Sequence, residues 1–267
     1  MNLESIAEQA IDTAKRAGRY ALNQRATLQQ QHIEIKGEHN FVSHIDRQCE
    51  QILVNDLSLA LPQAGFIAEE GTGSPNADGL NWVIDPLDGT TNYIHSLAPH
   101  AVSIALLEHN TPLLGVIYEP NLDECFWATS QSPAYLNGTR INVSHTPTVH
   151  DALVATGFPY YDYTRLDGFM RSMEHLMRHS HGLRRLGSAA TDLAYVAAGR
   201  FDAFYEYGLS PWDVAAGAII VQRAGGSVCD YGKRNNYIFG KEIIATNTLL
   251  HNEFTQIIAQ YIPHQTA

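Results

Sequence analysis

Asp85 and Asp88 stand three residues apart in the run Trp82-Val83-Ile84-Asp85-Pro86-Leu87-Asp88-Gly89-Thr90-Thr91-Asn92. An apolar strand there delivers two carboxylates into a Pro/Gly turn. Carboxylate oxygens hold hard divalent cations. The turn then presents the backbone N–H groups of Gly89 and Thr90 ahead of a short helix, and such groups hold anions. Pro86 stiffens the turn, and Gly89 lets a ligand approach the backbone. These are two halves of a phosphate site. Asp-Pro and Asp-Gly by themselves mark ordinary surface turns; the whole string is far more specific.

Other acids sit in comparable places. Glu69-Glu70 closes the strand-like run Phe66-Ile67-Ala68, where a solvated acidic pair is the plain alternative. Asp213 follows Ser210 by three residues and Asp46 follows Ser43 by three, so each also suits a capping box. Glu206 ends a strand of alternating aromatics, where an exposed charge is ordinary. If Glu69, Asp85, Asp88, Glu206 and Asp213 converge, they repel one another unless cations neutralise them. Oxygen ligands without His or Cys select Mg²⁺ or a similar hard ion. Such ions shield a phosphate's charge, make hydroxide from bound water and stabilise a leaving oxygen.

The elements that must position these groups are read from periodicity. Residues 3–21 carry apolar side chains at helical spacing, and Cys49, Ile52, Leu53 and Leu57 form the stripe of a second helix that Pro62 ends. Between them, residues 29–40 are polar. Residues 66–68, 82–84, 101–107, 113–118 and 124–128 read as strands, and Asn137-Gly138 as a hairpin turn. A second unit begins near residue 150. It has strands at 152–156, 201–207 and 243–246, and helices at 165–179, 188–198, from Ser210-Pro211 to Gly225-Gly226, and at 249–261. Strands in meander order with paired helices predict layered α and β, not alternating βαβ.

Composition narrows the classes. The chain has 267 residues, 45% of them hydrophobic, enough for one large or two smaller domains. With 17 Lys and Arg against 28 Asp and Glu the net charge is −11. No basic block offsets it, which disfavours direct nucleic-acid binding and anionic lipid, and an anionic substrate would require added positive charge. The widely spaced Cys49, Cys125 and Cys229 suggest buried free thiols, not a disulfide framework or zinc site. Glu4, Glu8 and Asp12 occupy the place of a basic, apolar signal segment, and Val214 to Val221 is far shorter than a membrane span. A cytoplasmic protein is expected.

Three motifs carry a resemblance over essentially the whole chain: residues 82–92 as written above, Trp212-Asp213-Val214-Ala215-Ala216-Gly217, and Gly187-Ser188-Ala189-Ala190-Thr191-Asp192-Leu193-Ala194-Tyr195-Val196-Ala197-Ala198-Gly199. The chain resembles the inositol monophosphatase family, especially its bacterial branch, within the Mg²⁺-dependent, lithium-sensitive phosphatases. The resemblance implies an α+β fold: a layered αβαβα sandwich of the sugar-phosphatase type. Its N-terminal sheet would be mainly antiparallel, and its smaller C-terminal sheet mixed with paired helices. It implies subdomains at 1–148 and 149–267, the second completing the site begun by the first.

It also implies roles. Glu69, Asp85 and the Leu87 carbonyl would hold a first Mg²⁺, and Asp85, Asp88 and Asp213 a second. A weaker third would use Glu69 through waters. Mn²⁺ could substitute and Li⁺ would inhibit. Asp46 and Thr90 would position the attacking water, with Glu69 counted among the catalytic groups. Substrate would meet Asp88, Gly89, Thr90, Ala189, Glu206 and Asp213, with Lys36 supporting the phosphate side. Where the family has Asp-Phe-Val-Thr after that lysine, this chain has Asn40-Phe41-Val42-Ser43. The loss of one charge there bears on third-metal affinity, not on reaction class.

The activity implied is hydrolysis of a phosphate monoester, inositol 1-phosphate or a similar polyol phosphate, by in-line attack of a metal-activated water, in a homodimer. Related substrates are fructose 1,6-bisphosphate, 3′-phosphoadenosine phosphates, histidinol phosphate and NADP. A haloacid-dehalogenase-type mechanism with Asp85 as nucleophile is one rival, although its motif spacing differs. A regulatory or binding protein that retains the fold is another. Arg184 and Arg185 read as substrate or partner contacts, or more plainly as structural salt bridges.

Overall fold

The computed structural model describes residues 1–25, 33–37, 40–77 and 79–263, with 33–37 and 40–43 described as backbone. Helix α1 (Leu3–Gln24) begins where the Asn2 side chain accepts the Ser5 N–H. It buries a stripe of mainly small residues from Ala7 to Ala21. A β-carbon at Gly18 would lie 2.6 Å from the Tyr118 ring, so the missing side chain lets the helix sit close on the sheet. Strands β1 (Ile33–Gly37) and β2 (Asn40–Ser43) form an antiparallel pair, β1 inside the segment 29–40 read only as polar and β2 running on from its end. Helix α2 (His44–Ala60) follows and packs on α1.

The larger sheet runs in the order β3 (Gly65–Ala68), β4 (Leu80–Asp88), β5 (Ala101–Glu108), β6 (Thr111–Glu119), β7 (Glu124–Thr129), β8 (Tyr135–Leu136) and β9 (Thr139–Arg140). Only β3 and β4 pair in parallel; every later pair is antiparallel. The five-residue helix α3 (Thr90–Ile94) lies between β4 and β5. The smaller sheet is built from β10 (Leu153–Thr156), β11 (Gly182–Arg184), β12 (Ala203–Tyr207), β13 (Ser227–Cys229) and β14 (Glu242–Thr246), ordered β11-β10-β12-β14-β13. Its β10 pairs in parallel with β11 and β12, and the other pairs are antiparallel. The remaining helices are α4 (Leu166–His179), α5 (Ala189–Ala197), α6 (Pro211–Arg223) and α7 (His251–Tyr261).

Strand parity sorts side chains into layers, because successive residues point to opposite faces. Trp82, Ile84, Val102, Ile104 and Leu106 pack under α1 and α2. Val83, Ala101, Ala105 and Leu107 face α5 and α6. In the smaller sheet, Phe204 and Ala245 face those same two helices, while Tyr205, Tyr207 and Ile244 face α4 and α7. The result is an αβαβα sandwich, as the family resemblance implies. The apolar run Val214 to Val221 is the middle of α6 and is buried all round, which is what a helix between two sheets requires.

Candidate active site

The layering explains how separate acids meet. Asp85 shares the parity of Val83 and therefore points toward α6. Three residues further, regular alternation would send Asp88 to the opposite face. The β4–β5 register shifts between Asp85 and Asp88, and Leu87 drops into the core under α1 and α2 instead. The bulge keeps both carboxylates on one side. Asp213 reaches them from the first turn of α6, whose N-terminal end is pinned to β5 where Ser103 Oγ donates to the Trp212 carbonyl at 3.0 Å. Asp85, Asp88 and Asp213 bring oxygen atoms within 4.8 Å of one another, the single group of this kind among the described residues.

Each carboxylate is held by the backbone. The Leu87 N–H donates to Asp85 Oδ1 at 2.8 Å. Asp88 Oδ2 accepts from the Ala190 N–H at 2.7 Å and from Ser188 Oγ at 2.6 Å, which seats it on the N-terminal turn of α5. Asp213 Oδ2 accepts the Ser210 N–H at 2.7 Å, so the residue is both helix cap and cluster member. Thr90 Oγ1 lies 3.0 Å from the Leu87 carbonyl and 3.3 Å from Asp46 Oδ1, and its one proton can serve either. Asp46 is buried in the first turn of α2.

Glu69 lines the same cavity. Its neighbour Glu70 and the following Thr72 donate N–H groups to the buried Glu50 carboxylate at 2.7 and 2.9 Å, which fixes the loop that carries it. Glu206 shares the parity of Phe204, so it faces the middle layer and not solvent. A β-carbon on Gly157 would meet the Glu206 carboxylate at 2.0 Å, so glycine makes room for it. Gly89 caps α3 with φ +88°, a backbone state that glycine adopts without strain. The cavity measures 270 Å³ and is also lined by Gly89, Thr90 and Ala189. Lys36 falls in β1, and its side chain, like that of Ser43, lies outside the described residues.

The electrostatics are strained without a cation. Burial pushes the Asp85 carboxyl far above its usual range, and Glu69, Asp88 and Asp213 push it further. Asp213 is raised likewise by burial and then by Asp88. Asp88 is raised to about 6 by burial, against the pull of Ser188 and the Ala190 amide. Glu206 is pushed up to about 8 by burial and by Asp88. This all-oxygen set fits hard divalent cations: one ion placed among the carboxylates removes the penalty for ionising them.

Sequence reasoning missed three contributors. Ser188 and Glu50 position the acids from behind, and a carboxylate inside the apolar stripe of α2 was the readable sign of Glu50. Asp192 lines the cavity, with Oδ1 buried and without a hydrogen-bond partner among the described residues. The plain reading of Arg185 as a structural salt bridge is corrected: it lines the cavity and makes no ion pair among the described residues. Arg184 is exposed, with Nη1 donating to the Leu183 carbonyl. The three cysteines are free and buried. Among the described residues no helix is long and apolar enough to cross a membrane.

The fold is a layered α+β sandwich around a cavity lined by carboxylates. Residues 2–265 match the inositol monophosphatase family, and the chain belongs to that family. It is similar to Nus factor SuhB of Pseudomonas aeruginosa, 39% identical over 264 residues that cover 95% of this chain and 96% of the relative. It is 36% identical to inositol-1-monophosphatase of Mesorhizobium japonicum over 93% of this chain and 94% of that one. Among solved structures, the extragenic suppressor protein suhB of Bartonella henselae superposes with a TM-score of 0.91 at 38% identity, covering 96% and 98% of the two chains. The inositol monophosphatase of Anabaena superposes with 0.87 at 35%, covering 98% of both.

Proposed function

We propose that the protein is a Mg²⁺-dependent phosphomonoesterase acting on inositol monophosphate or a similar polyol phosphate. The observation that carries this reading is the convergence of Asp85, Asp88 and Asp213 within 4.8 Å at a cavity also lined by Gly89 and Thr90. Glu69, Asp85 and the Leu87 carbonyl would hold one ion, and Asp85, Asp88 and Asp213 another, with a weaker third near Glu69. Ions there supply charge neutralisation, a more acidic water and stabilisation of the departing oxygen.

The chain's own residues do the rest. Thr90 Oγ1 and Asp46 form a hydrogen-bonded pair that orients the attacking water and receives its proton. The Gly89 and Thr90 amides, with Lys36 in support, hold the phosphate. Glu206, Ala189 and Asp213 meet the hydroxyl end of the substrate. A cytoplasmic homodimer, with subdomains at 1–148 and 149–267, belongs to the same proposal.

Phosphate release should be measured on a panel of inositol, sugar and nucleotide phosphates with Mg²⁺, with a chelator, with Li⁺, and in Asp85→Asn. Polyol phosphate hydrolysis that the chelator, Li⁺ and the substitution each suppress supports the reading. Turnover indifferent to chelation contradicts it, and a phosphorylated Asp85 trapped by rapid quench would show the nucleophilic mechanism instead. Relatives named Nus factor SuhB favour a second reading, a binding role that uses the fold's surface. No turnover on any ester would move the balance to it.

A further inference from the structure

Arg185 is the single cation among the described residues that line the cavity, and the function proposed above gives it no task. Its guanidinium carbon lies 5.1 Å from the Phe158 ring centroid and 5.5 Å from that of Tyr160. Aromatic faces at that range hold a guanidinium in place without neutralising it. Its Nε is buried and has no hydrogen-bond partner among the described residues.

The backbone accommodates this placement. Gly187 has φ +95°, and a β-carbon there would stand 2.6 Å from Arg185 Nη1. The guanidinium therefore crosses a stretch of main chain kept bare for it. Its field reaches Asp192, Glu206 and Asp88, lowering the proton affinity of each. Two of these three, Asp192 and Glu206, are buried and lie outside the Asp85–Asp88–Asp213 cluster. Burial nevertheless keeps Glu206 near 8 and Asp192 well above the usual carboxylate range. Among the described residues neither forms an ion pair with Arg185, whose guanidinium lines the cavity without a carboxylate partner.

A guanidinium fixed by stacking, with donors unused by protein carboxylates, is a receptor for an oxyanion. The scissile phosphate already has the carboxylate-held cations and the loop amides. We propose that Arg185 is a specificity-determining residue that recognises a second anionic group, phosphate or carboxylate, on the alcohol portion of the ester. The inference rests on the phosphatase reading and adds a substrate class to it: phosphate esters with two separated anionic groups.

The test compares kcat/KM with Mg²⁺ for a sugar monophosphate, the matching bisphosphate and a phosphorylated sugar acid. The proteins are the unaltered chain, Arg185→Lys and Arg185→Gln. The preference for a second-anion ester over the monophosphate should fall roughly tenfold or more in Arg185→Gln, the scale of one charge-assisted hydrogen bond, and mainly through KM. Arg185→Lys should lie between. The arm that falls, bisphosphate or sugar acid, identifies which anion is read. An unchanged ratio, or an equal loss on all esters, overturns the inference.

If the unaltered protein hydrolyses no ester, the phosphatase reading fails on its own. The inference is then decided by calorimetric titration of the same esters into Ca²⁺-loaded protein. Tighter binding of the second-anion ester that Arg185→Gln abolishes sustains it, and equal affinities in both proteins overturn it.

Discussion

Burial and three acidic neighbours make the Asp85 carboxylate costly to ionise in the absence of a cation. Asp85→Asn removes that cost and keeps an acceptor for the Leu87 N–H. The variant should melt a few degrees above the unaltered protein in chelator at pH 8, lose the stabilisation that Mg²⁺ confers, and lose phosphate release by about a hundredfold or more. Differential scanning fluorimetry with and without Mg²⁺ checks the first two effects and a phosphate assay the third. His100 offers a separate handle, because its shift is set by burial and Arg25 and not by the cluster carboxylates. Burial, then the Arg25 charge, lowers it from 6.5 to about 4. Between those values the unfolded chain binds the proton and the folded chain does not, so folding stability contributed by neutral His100 is complete above about 6.5 and is lost as pH falls toward 4. The loss is on the order of 3 kcal/mol. Urea unfolding between pH 4 and 7 should show it, and a His100→Asn variant should show a flatter profile. An identical profile would contradict this assignment.

Elements turn these residue properties into a site. α6 is the clearest case: it brings Asp213 to the cluster and is gripped on two sides. A β-carbon at Gly217 would meet Leu193 of α5 at 2.4 Å, and one at Gly115 of β6 would meet the Ala216 carbonyl at 2.5 Å. Gly217→Ala should therefore cost about 1–3 kcal/mol of stability by overpacking, read as a lower urea midpoint. It should also weaken Mg²⁺ binding by displacing Asp213. Glu50 acts through the loop after β3. Glu50→Gln weakens the anchors at the Glu70 and Thr72 N–H groups, so the Mg²⁺ concentration for half-maximal activity should rise several-fold, with a smaller change in kcat.

Much of this organisation was legible in the sequence because it rests on period. The α1 and α2 stripes, the meander of long strands and the N-cap of α6 all follow from spacing of apolar and turn residues. The β1–β2 pair and the three-residue strands β11 and β13 were not, since polar or very short segments carry no readable alternation. The bulge that puts Asp85 and Asp88 on one face was hidden for a related reason: it is a register effect between two strands. Glu206 was legible by parity with Phe204 once a sheet is granted, yet its burial depends on the second sheet packing against α5 and α6. The position of Arg185 depends on aromatic neighbours far off in the chain and on a bare glycine, which no local pattern encodes.

At the scale of the molecule, the proposed function requires bound cations to reconcile the acidic balance of −11 with an anionic substrate. Four segments, β3, β4, β12 and α6, end at one cavity between two sheets, and each brings a carboxylate there. Cations that bind this folded arrangement and not the open chain must raise its stability by mass action. The melting temperature should rise with Mg²⁺ concentration and return to its starting value on chelation. The most direct measurement is an anomalous difference map from a crystal of this protein soaked in Mn²⁺. A peak bonded to oxygens of Asp85, Asp88 and Asp213 is the predicted result. No density among those three side chains at saturating Mn²⁺ would contradict the account.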